Sequence, residues 1–418
     1  MNGNTHPAIT LRAGIRQKIY PARVEAVVRI LDEVMGKKEY ADKALERYFK
    51  SHKKAGADDR AFIAEMVYDA VRHWNYLVWF TGDSFSFKRE GLWALAGNLL
   101  FLKGYILPEW SEFANFNRKA AEERAKRSRL PRTILQSVSE ELDELALEEI
   151  GEALWERELK AMNEKAPVVL RVNTMKTTVN HVMDVLAGEG LDVEEIPGYP
   201  DALRLNGKVN LFRHPLFSAG YFEVQDAGSQ TVAPFLQAES GMRVIDACAG
   251  AGGKTLHLAS LMQNKGKIIA MDVDHYKLNE LKNRAVRNGV SIIEPRLIEG
   301  MKTIKRMENS ADRLLLDVPC TGSGVLRRNP DAKYKIDRTF FNRMVKVQQE
   351  ILENYSTMLK PGGIMVYATC SLFASENENQ VQAFLTHHPQ FELLEQAYHY
   401  PSKTGFDGFY MARLRRRG

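Results

Sequence analysis

Three textures follow one another along the chain. From about Arg23 to Arg127 apolar residues recur at three- and four-residue spacing, as in AVVRILDEVM, AFIAEMVYDAVRHWNYLVWF and LWALAGNLLFL. That period puts the apolar residues on one face of a helix, so an all-helical domain is predicted over residues 1–130. One or two further amphipathic helices, rich in glutamate, follow between Pro131 and Lys165 and read as a connector. At Pro167 the period changes. VVLRVN alternates apolar and polar, the stretch from Thr177 to Gly188 reads as a helix, and LDVEEI and ALRLNG supply two short strands. Together with the connector this gives a second part, 131–220, holding a small α+β unit. Its open sheet face suits either RNA binding or a plain structural platform.

From about Tyr221 strand-like and helix-like runs alternate: RVIDAC, a helix from Lys254, KIIAMDVD, a helix from His275, RLIEG, RLLLDVP, a long helix and GIMVYATCS. Such alternation builds βαβ units around a mostly parallel sheet, so 221–418 is predicted to be an α/β domain. The closing FELLEQ and GFYMARL segments suit an antiparallel edge.

At 418 residues and 44% hydrophobic, the chain can bury the cores of two or three domains. Its longest strongly apolar stretch, Leu92 to Leu102, is interrupted by Gly97 and Asn98 and is too short for a bilayer span. The first twenty residues are basic and lack a signal-peptide core, which leaves an organelle-transit reading beside the preferred cytoplasmic one. A net charge of +5 tilts only slightly toward nucleic acid. Clustering says more: Arg118, Lys119, Arg124, Lys126, Arg127, Arg129 and Arg132 crowd one segment, Arg327 and Arg328 are adjacent, and Arg413, Arg415, Arg416 and Arg417 end the chain. Each cluster can contact phosphates. The first can equally be a solvated helix face neutralised by Glu122 and Glu123, and Arg327 and Arg328 can pair within the molecule.

Three cysteines, Cys248, Cys320 and Cys370, each follow an apolar strand-like run. Their odd number argues against a disulfide framework and the lack of CxxC against a zinc site, so no metal is expected. Thiols at strand ends of an open parallel sheet stand where ligands bind, as nucleophiles or as pocket lining. Around the first, Asp246-Ala-Cys-Ala-Gly-Ala-Gly-Gly-Lys-Thr255 is a glycine-rich strand-to-helix turn, the generic cradle of a nucleotide cofactor. Gly250 is too close to Lys254 for a P-loop. In AMDVD, Asp272 ends the next strand, where a carboxylate can bind ribose hydroxyls. Two more motifs end later strands: LLLDVPCTGSGVLRRNPD, with Asp317 and Cys320, and YATCSLFASENENQ, with Cys370.

Taken in this order, the glycine cradle, the ribose acid, DVPC and ATCS resemble the Sun/Fmu family of RNA cytosine-5 methyltransferases. The likeness is dense from Val224-Gln225-Asp226 to Asp407-Gly408-Phe409-Tyr410 and includes Leu170-Arg-Val-Asn173. The helical region is similar to the NusB-like domain of the bacterial small-subunit ribosomal RNA members. The resemblance implies a Rossmann-like domain that uses S-adenosylmethionine, preceded by a NusB-like RNA-binding domain and a small α+β middle domain. Cys248, Ala249, Gly250, Ala251, Gly252, Gly253 and Lys254 would form the cofactor loop, with Asp272 on the ribose, Glu299 near the adenine and Asp317 between cofactor and base. The family has alanine and proline where this chain has Gly250 and Ala251, so a looser turn is expected.

The implied chemistry is covalent. Carbon 5 of cytosine is a poor nucleophile until a thiolate adds at carbon 6. By the family pattern Cys370 attacks, Cys320 assists release, and Asp317 with Lys254 binds the cytosine edge. Cys248 is expected to line the pocket. Asp226 is read as a helix cap, and Glu376, Asn377 and Glu378 as the first turn of a helix. The expected partner is RNA, with ribosomal RNA favoured over transfer RNA, handled by a monomer without membrane or metal. DNA methylation and a non-catalytic RNA-binding protein that keeps the fold are the rivals.

Overall fold

The computed structural model describes residues 18–82, 85–127, 129–207 and 210–418, and residues 1–17, which carry most of the organelle-transit reading, lie outside them. By contact the chain forms two compact units. One runs to Lys165 and takes in Leu326–Arg338; the other comprises Ala166–Val325 and Thr339–Gly418. The connector helices thus group with the helical region, and the small sheet with the larger one.

The first unit contains helices Pro21–Leu31, Ala41–Ser51, Ala57–Arg72, Trp74–Thr81, Arg89–Leu102, Arg118–Ala125, Glu140–Ile150 and Glu152–Met162. The apolar stripes of the first six meet in a core that includes Leu31, Val67, Leu77, Trp93 and Leu99. The run AFIAEMVYDAVRHWNYLVWF is two helices rather than one. It breaks at His73, and Tyr76 N beyond the break donates to Ser137 Oγ. Segment 326–338, which in sequence interrupts the α/β pattern, is built into this unit. Lys333 Nζ is buried and donates to the carbonyls of Arg72 and Gln136 and to Asn163 Oδ1 at 2.7, 3.2 and 2.8 Å. Three oxygen acceptors meet the three donors that a buried ammonium must satisfy.

The second unit holds two sheets. Strands β1 (Val168–Val172), β2 (Asp192–Ile196), β3 (Tyr199–Asn206) and β4 (Phe222–Val224) form a four-stranded antiparallel sheet in the order β2-β3-β1-β4. Helix Val179–Gly188 packs on it, and Thr178 caps that helix. Phe222–Val224 pairs with β1, so the small unit extends past residue 220.

Strands β5 (Arg243–Asp246), β6 (Lys267–Asp272), β7 (Ile293–Leu297), β8 (Ala311–Asp317), β9 (Leu359–Thr369), β10 (Phe391–His399) and β11 (Phe409–Arg416) form the second sheet, ordered β7-β6-β5-β8-β9-β11-β10. The first five are parallel and the last two antiparallel. β5, β6 and β8 are buried on both faces, which is why they read as unbroken apolar runs. β7 lies earlier than the RLIEG reading. Pro295 cannot donate to a ladder, and β7 is an edge strand where that costs nothing. The chain runs outward from β5 to β7, then crosses back to β8, so the strand order reverses between β5 and β8. Carboxyl ends at such a reversal form a crevice.

Candidate active site

The crevice is built from four strand ends. After β5, residues 247–252 turn into helix Gly253–Leu261. Gly250 and Gly252 both have positive φ, +54° and +87°. A side chain at Gly252 would meet Leu281 Cγ at 2.6 Å, whereas the space beside Gly250 is open, so its backbone can be approached. The loop is pinned from behind: Ala249 N donates to the Met271 carbonyl, the Ala251 carbonyl accepts from Arg284, and the Gly253 carbonyl accepts from the buried Arg171 of β1 at 2.6 Å. At the end of β6, Asp272 accepts from the amides of Gly250 and Asp274, both at 2.8 Å, which fixes its carboxylate beside the loop. Glu299 is exposed, one residue past Ile298, whose amide donates to the Asp272 carbonyl.

Asp246 is buried at the end of β5. Its Oδ2 accepts from Thr255 Oγ1 at 2.7 Å, and its Oδ1 has no hydrogen-bond partner among the described residues. Burial pushes its carboxyl up to about 7 against the pull of the Thr255 hydroxyl, and the charge of Asp317 adds to the rise. Cys248 is half-buried. Burial, and then the charges of Asp246, Asp317 and Asp272, drive its thiol far above the usual range. A thiol facing three carboxylates stays protonated, which suits pocket lining and not attack.

At the end of β8, Asp317 accepts from Lys254 Nζ at 2.6 Å, and the ammonium lies 5.1 Å from the centre of the Phe409 ring. Burial works against the Lys254 charge. The charge and hydrogen bond of Asp317 outweigh it, helped by Cys370 and Asp246, and hold the lysine above its ordinary value.

Cys320 follows β8 and Cys370 follows β9; their Sγ atoms are 3.2 Å apart. Contact with Cys370, then burial, pushes the Cys320 thiol far up, so it keeps its proton. The loops are stitched by backbone: Gly324 N donates to the Cys370 carbonyl at 2.9 Å and Gly408 N to the Gly324 carbonyl at 2.8 Å. A side chain at Gly324 would strike the Gly408 carbonyl, so glycine is needed for this approach. Asp226 does cap the short helix Ala227–Gln230, and the same oxygen accepts from Asp407 N.

The structure therefore brings together Lys254, Asp317, Cys320 and Cys370, and sets Cys248, the glycine loop and Asp272 beside them. Among the described residues no group of three His, Cys, Asp or Glu is placed to hold a metal ion, and no helix is long and apolar enough to cross a membrane. The basic clusters are largely occupied. Arg118 and Lys126 pair with Glu122 and Glu123, Arg413, Arg415 and Arg417 pair with Glu395 and Glu392, and Arg416 bonds Asn309. Arg327 is buried in the first unit, which removes it from phosphate. Glu376 also differs from its reading as part of a helix's first turn. It lies in a 3-10 turn ahead of helix Glu378–His387, fully buried, and bonds the residue that follows each cysteine of the pair.

Residues 233–415 match the family described as 16S rRNA methyltransferase RsmB/F, and residues 145–211 match the ferredoxin-like domain of RsmF/B-like methyltransferases. A probable ribosomal RNA small subunit methyltransferase B from Bacillus subtilis (strain 168) is 35% identical over 267 residues, covering 60% of this chain and 60% of that protein. The chain thus matches less than two thirds of that relative's length. The solved structure of PH0851 aligns with a TM-score of 0.79 at 24% identity, over 96% of this chain and all of that one, a likeness of fold. A methyltransferase homolog from Pyrococcus horikoshii aligns with a TM-score of 0.61 at 28% identity, over 68% of this chain and 97% of that one. With two models matching successive stretches and the motif residues gathered in one crevice, residues 145–211 and 233–415 correspond to the ferredoxin-like and methyltransferase domains of the RsmB/F methyltransferases.

Proposed function

We propose that this protein forms 5-methylcytosine in RNA, with small-subunit ribosomal RNA as substrate and S-adenosylmethionine as methyl donor. The observation that carries the reading is the 3.2 Å approach of Cys320 and Cys370 beside the Lys254–Asp317 pair. Two thiols from different strand ends suit a covalent cycle in which one adds and the other assists departure. The choice of ribosomal RNA is supported by the description of the matching family and by the names of the relatives. We extend the proposal to a NusB-like role for the helical unit in RNA binding and to a cytoplasmic setting, on its all-helical order and the sequence resemblance.

The crevice fits an adenosine-type cofactor. Gly250 leaves room at the backbone, Asp272 presents an oriented carboxylate, and Asp246 Oδ1 leaves an acceptor for a ligand donor. When bound, S-adenosylmethionine supplies a methyl group on a sulfonium. Cys370, as the thiolate, adds to carbon 6 of the cytosine and gives carbon 5 the electron density it lacks. Asp317, held by Lys254, bonds the cytosine edge and favours protonation at the ring nitrogen. Lys254 also places positive charge near Cys370. After methylation and loss of the carbon 5 proton, elimination frees Cys370 with help from Cys320.

The test is incubation with labelled S-adenosylmethionine and RNA from cells lacking the protein, followed by mapping of the modified base. Cys320→Ala should accumulate a covalent RNA adduct, and Cys370→Ala should lose both adduct and product. Full activity in the Cys370 variant would overturn the mechanism; no transfer to any RNA would favour a binding protein that keeps the fold.

A further inference from the structure

The loops that carry Cys320 and Cys370 share a carboxylate that neither the reading above nor the covalent cycle uses. Glu376 is fully buried. Its Oε1 accepts from Thr321 N at 2.8 Å and from Gln348 Nε2 at 2.9 Å, and its Oε2 accepts from Thr321 Oγ1 at 2.5 Å and from Ser371 Oγ. Thr321 and Ser371 each directly follow a cysteine, so one side chain holds the residue next to each thiol. The knot is reinforced around it. Ser323 Oγ lies 2.9 Å from Ser371 Oγ and accepts from Leu372 N, Gln348 also donates to the Pro319 carbonyl, and Tyr367 OH donates to the Glu376 carbonyl at 2.6 Å.

These donors are uncharged hydroxyl, amide and backbone groups. Burial raises the Glu376 carboxyl, and the Ser371 and Thr321 hydroxyls lead the groups that hold it down. A carboxylate kept in the interior by neutral donors is a costly way to join two loops, and an apolar contact would serve mere packing better. What the carboxylate provides is direction, since it fixes both hydroxyls, and so both loops, relative to one point. We propose that Glu376 is a positioning residue that sets the separation and mutual orientation of the Cys320 and Cys370 thiols. The inference rests on the proposed function for its consequence in catalysis, though its geometric content stands without it.

The test reads the separation directly. Diamide, a diazene, takes the hydrogens of two adjacent thiols as it is reduced to the hydrazine, leaving a disulfide. With the full-length protein and peptide mapping, the wild type should form the Cys320–Cys370 disulfide quickly. Glu376→Ala should form it about tenfold more slowly or worse, because an ångström of misplacement already costs that much in an oriented reaction. Thr321→Val and Ser371→Ala, which each release one loop, should slow it to a smaller degree, and Thr321→Ser should restore it. In methyl transfer Glu376→Ala should lower kcat with little change in KM for RNA or cofactor. A folded Glu376→Ala that forms the disulfide at the wild-type rate overturns the inference. If that variant fails to fold, wild-type rates in both Thr321→Val and Ser371→Ala overturn it. Slowed disulfide formation in a protein that methylates no RNA would sink the proposed function and leave the positioning role standing.

Discussion

Lys254 Nζ stands 2.6 Å from Asp317 Oδ2, joining the first turn of the glycine-loop helix to the end of β8. Both side chains are mostly buried, at 13% and 24% exposure, so the pair acts in a medium where charge is poorly screened. Asp317→Asn keeps the shape and an acceptor but leaves the ammonium without its counter-charge. Methyl transfer should fall about 10²- to 10³-fold, as when one preorganised electrostatic group is removed. The lysine pKa is raised on folding, so the pair's stability is fully present below the unfolded value of 10.5 and is lost only as pH rises through the folded one. Wild-type melting near neutral pH should therefore carry no slope from this lysine. Turnover assays with parallel thermal melts check both statements.

Asp246 should instead give stability a slope at mildly acid to neutral pH. Its carboxyl is raised from 3.8 to about 7 by burial, so the folded state binds the proton more tightly than the unfolded chain. Stability from this group is full below the unfolded value and declines as pH rises through the folded one, by at most about 4 kcal/mol. Asp246→Asn, which does not titrate, should remove that part of the decline. Denaturant midpoints measured for both proteins across this range isolate the effect as their difference. Equal slopes would show that Asp246 does not titrate there.

Much of this site was legible because each motif residue ends a strand, and a parallel sheet delivers all its strand ends to one edge. Alternation of period 2 and period 3.6 was enough to place Cys248, Asp272, Asp317, Cys320 and Cys370 on that edge. Glu376 was not legible in the same way. Its neighbours SENENQ look like a polar helix start, and burial of a glutamate depends on hydroxyls from two loops, one of which, carrying Thr321, is distant in sequence. A hydroxyl residue after each of Cys320 and Cys370 was the available signal. Asp246 stood inside the glycine motif, yet only burial distinguishes it from an ordinary strand-end acid. Pairing within 326–338 was hidden for another reason. Lys333 finds its acceptors at Arg72, Gln136 and Asn163, far away in sequence, and no local period records that.

The two left-handed glycines of the loop after β5 should respond differently to a methyl group. Gly250 has open space around the added carbon, so Gly250→Ala meets only the backbone penalty of about 1–2 kcal/mol. The looser turn expected from sequence is then tolerant at this position. Gly252→Ala adds a 2.6 Å contact with Leu281 Cγ to the same penalty. It should cost about 2–5 kcal/mol in all and shift the loop that carries Gly250 N onto Asp272. Melting curves rank the two, and cofactor titration should show weaker binding for Gly252→Ala.

Segment 326–338 should be necessary to the helical unit rather than an ornament on it. Lys333 fills a site whose acceptors are two backbone carbonyls and Asn163, and Tyr334 OH donates to the Ser137 carbonyl at 2.8 Å close by. Lys333→Ala would take this donor from the Arg72 carbonyl and Asn163 Oδ1 in the interior and leave a cavity, at a cost of about 3–5 kcal/mol. A chain ending at Lys165 loses the whole segment, and with it the partly buried face of Tyr334 that packs on the helical core. Such a fragment should be helical by circular dichroism but without a sharp unfolding transition, and adding the 326–338 peptide should sharpen it. Cooperative melting of the fragment alone, at the temperature of the full chain's helical unit, would mean that the inserted segment contributes nothing to that core.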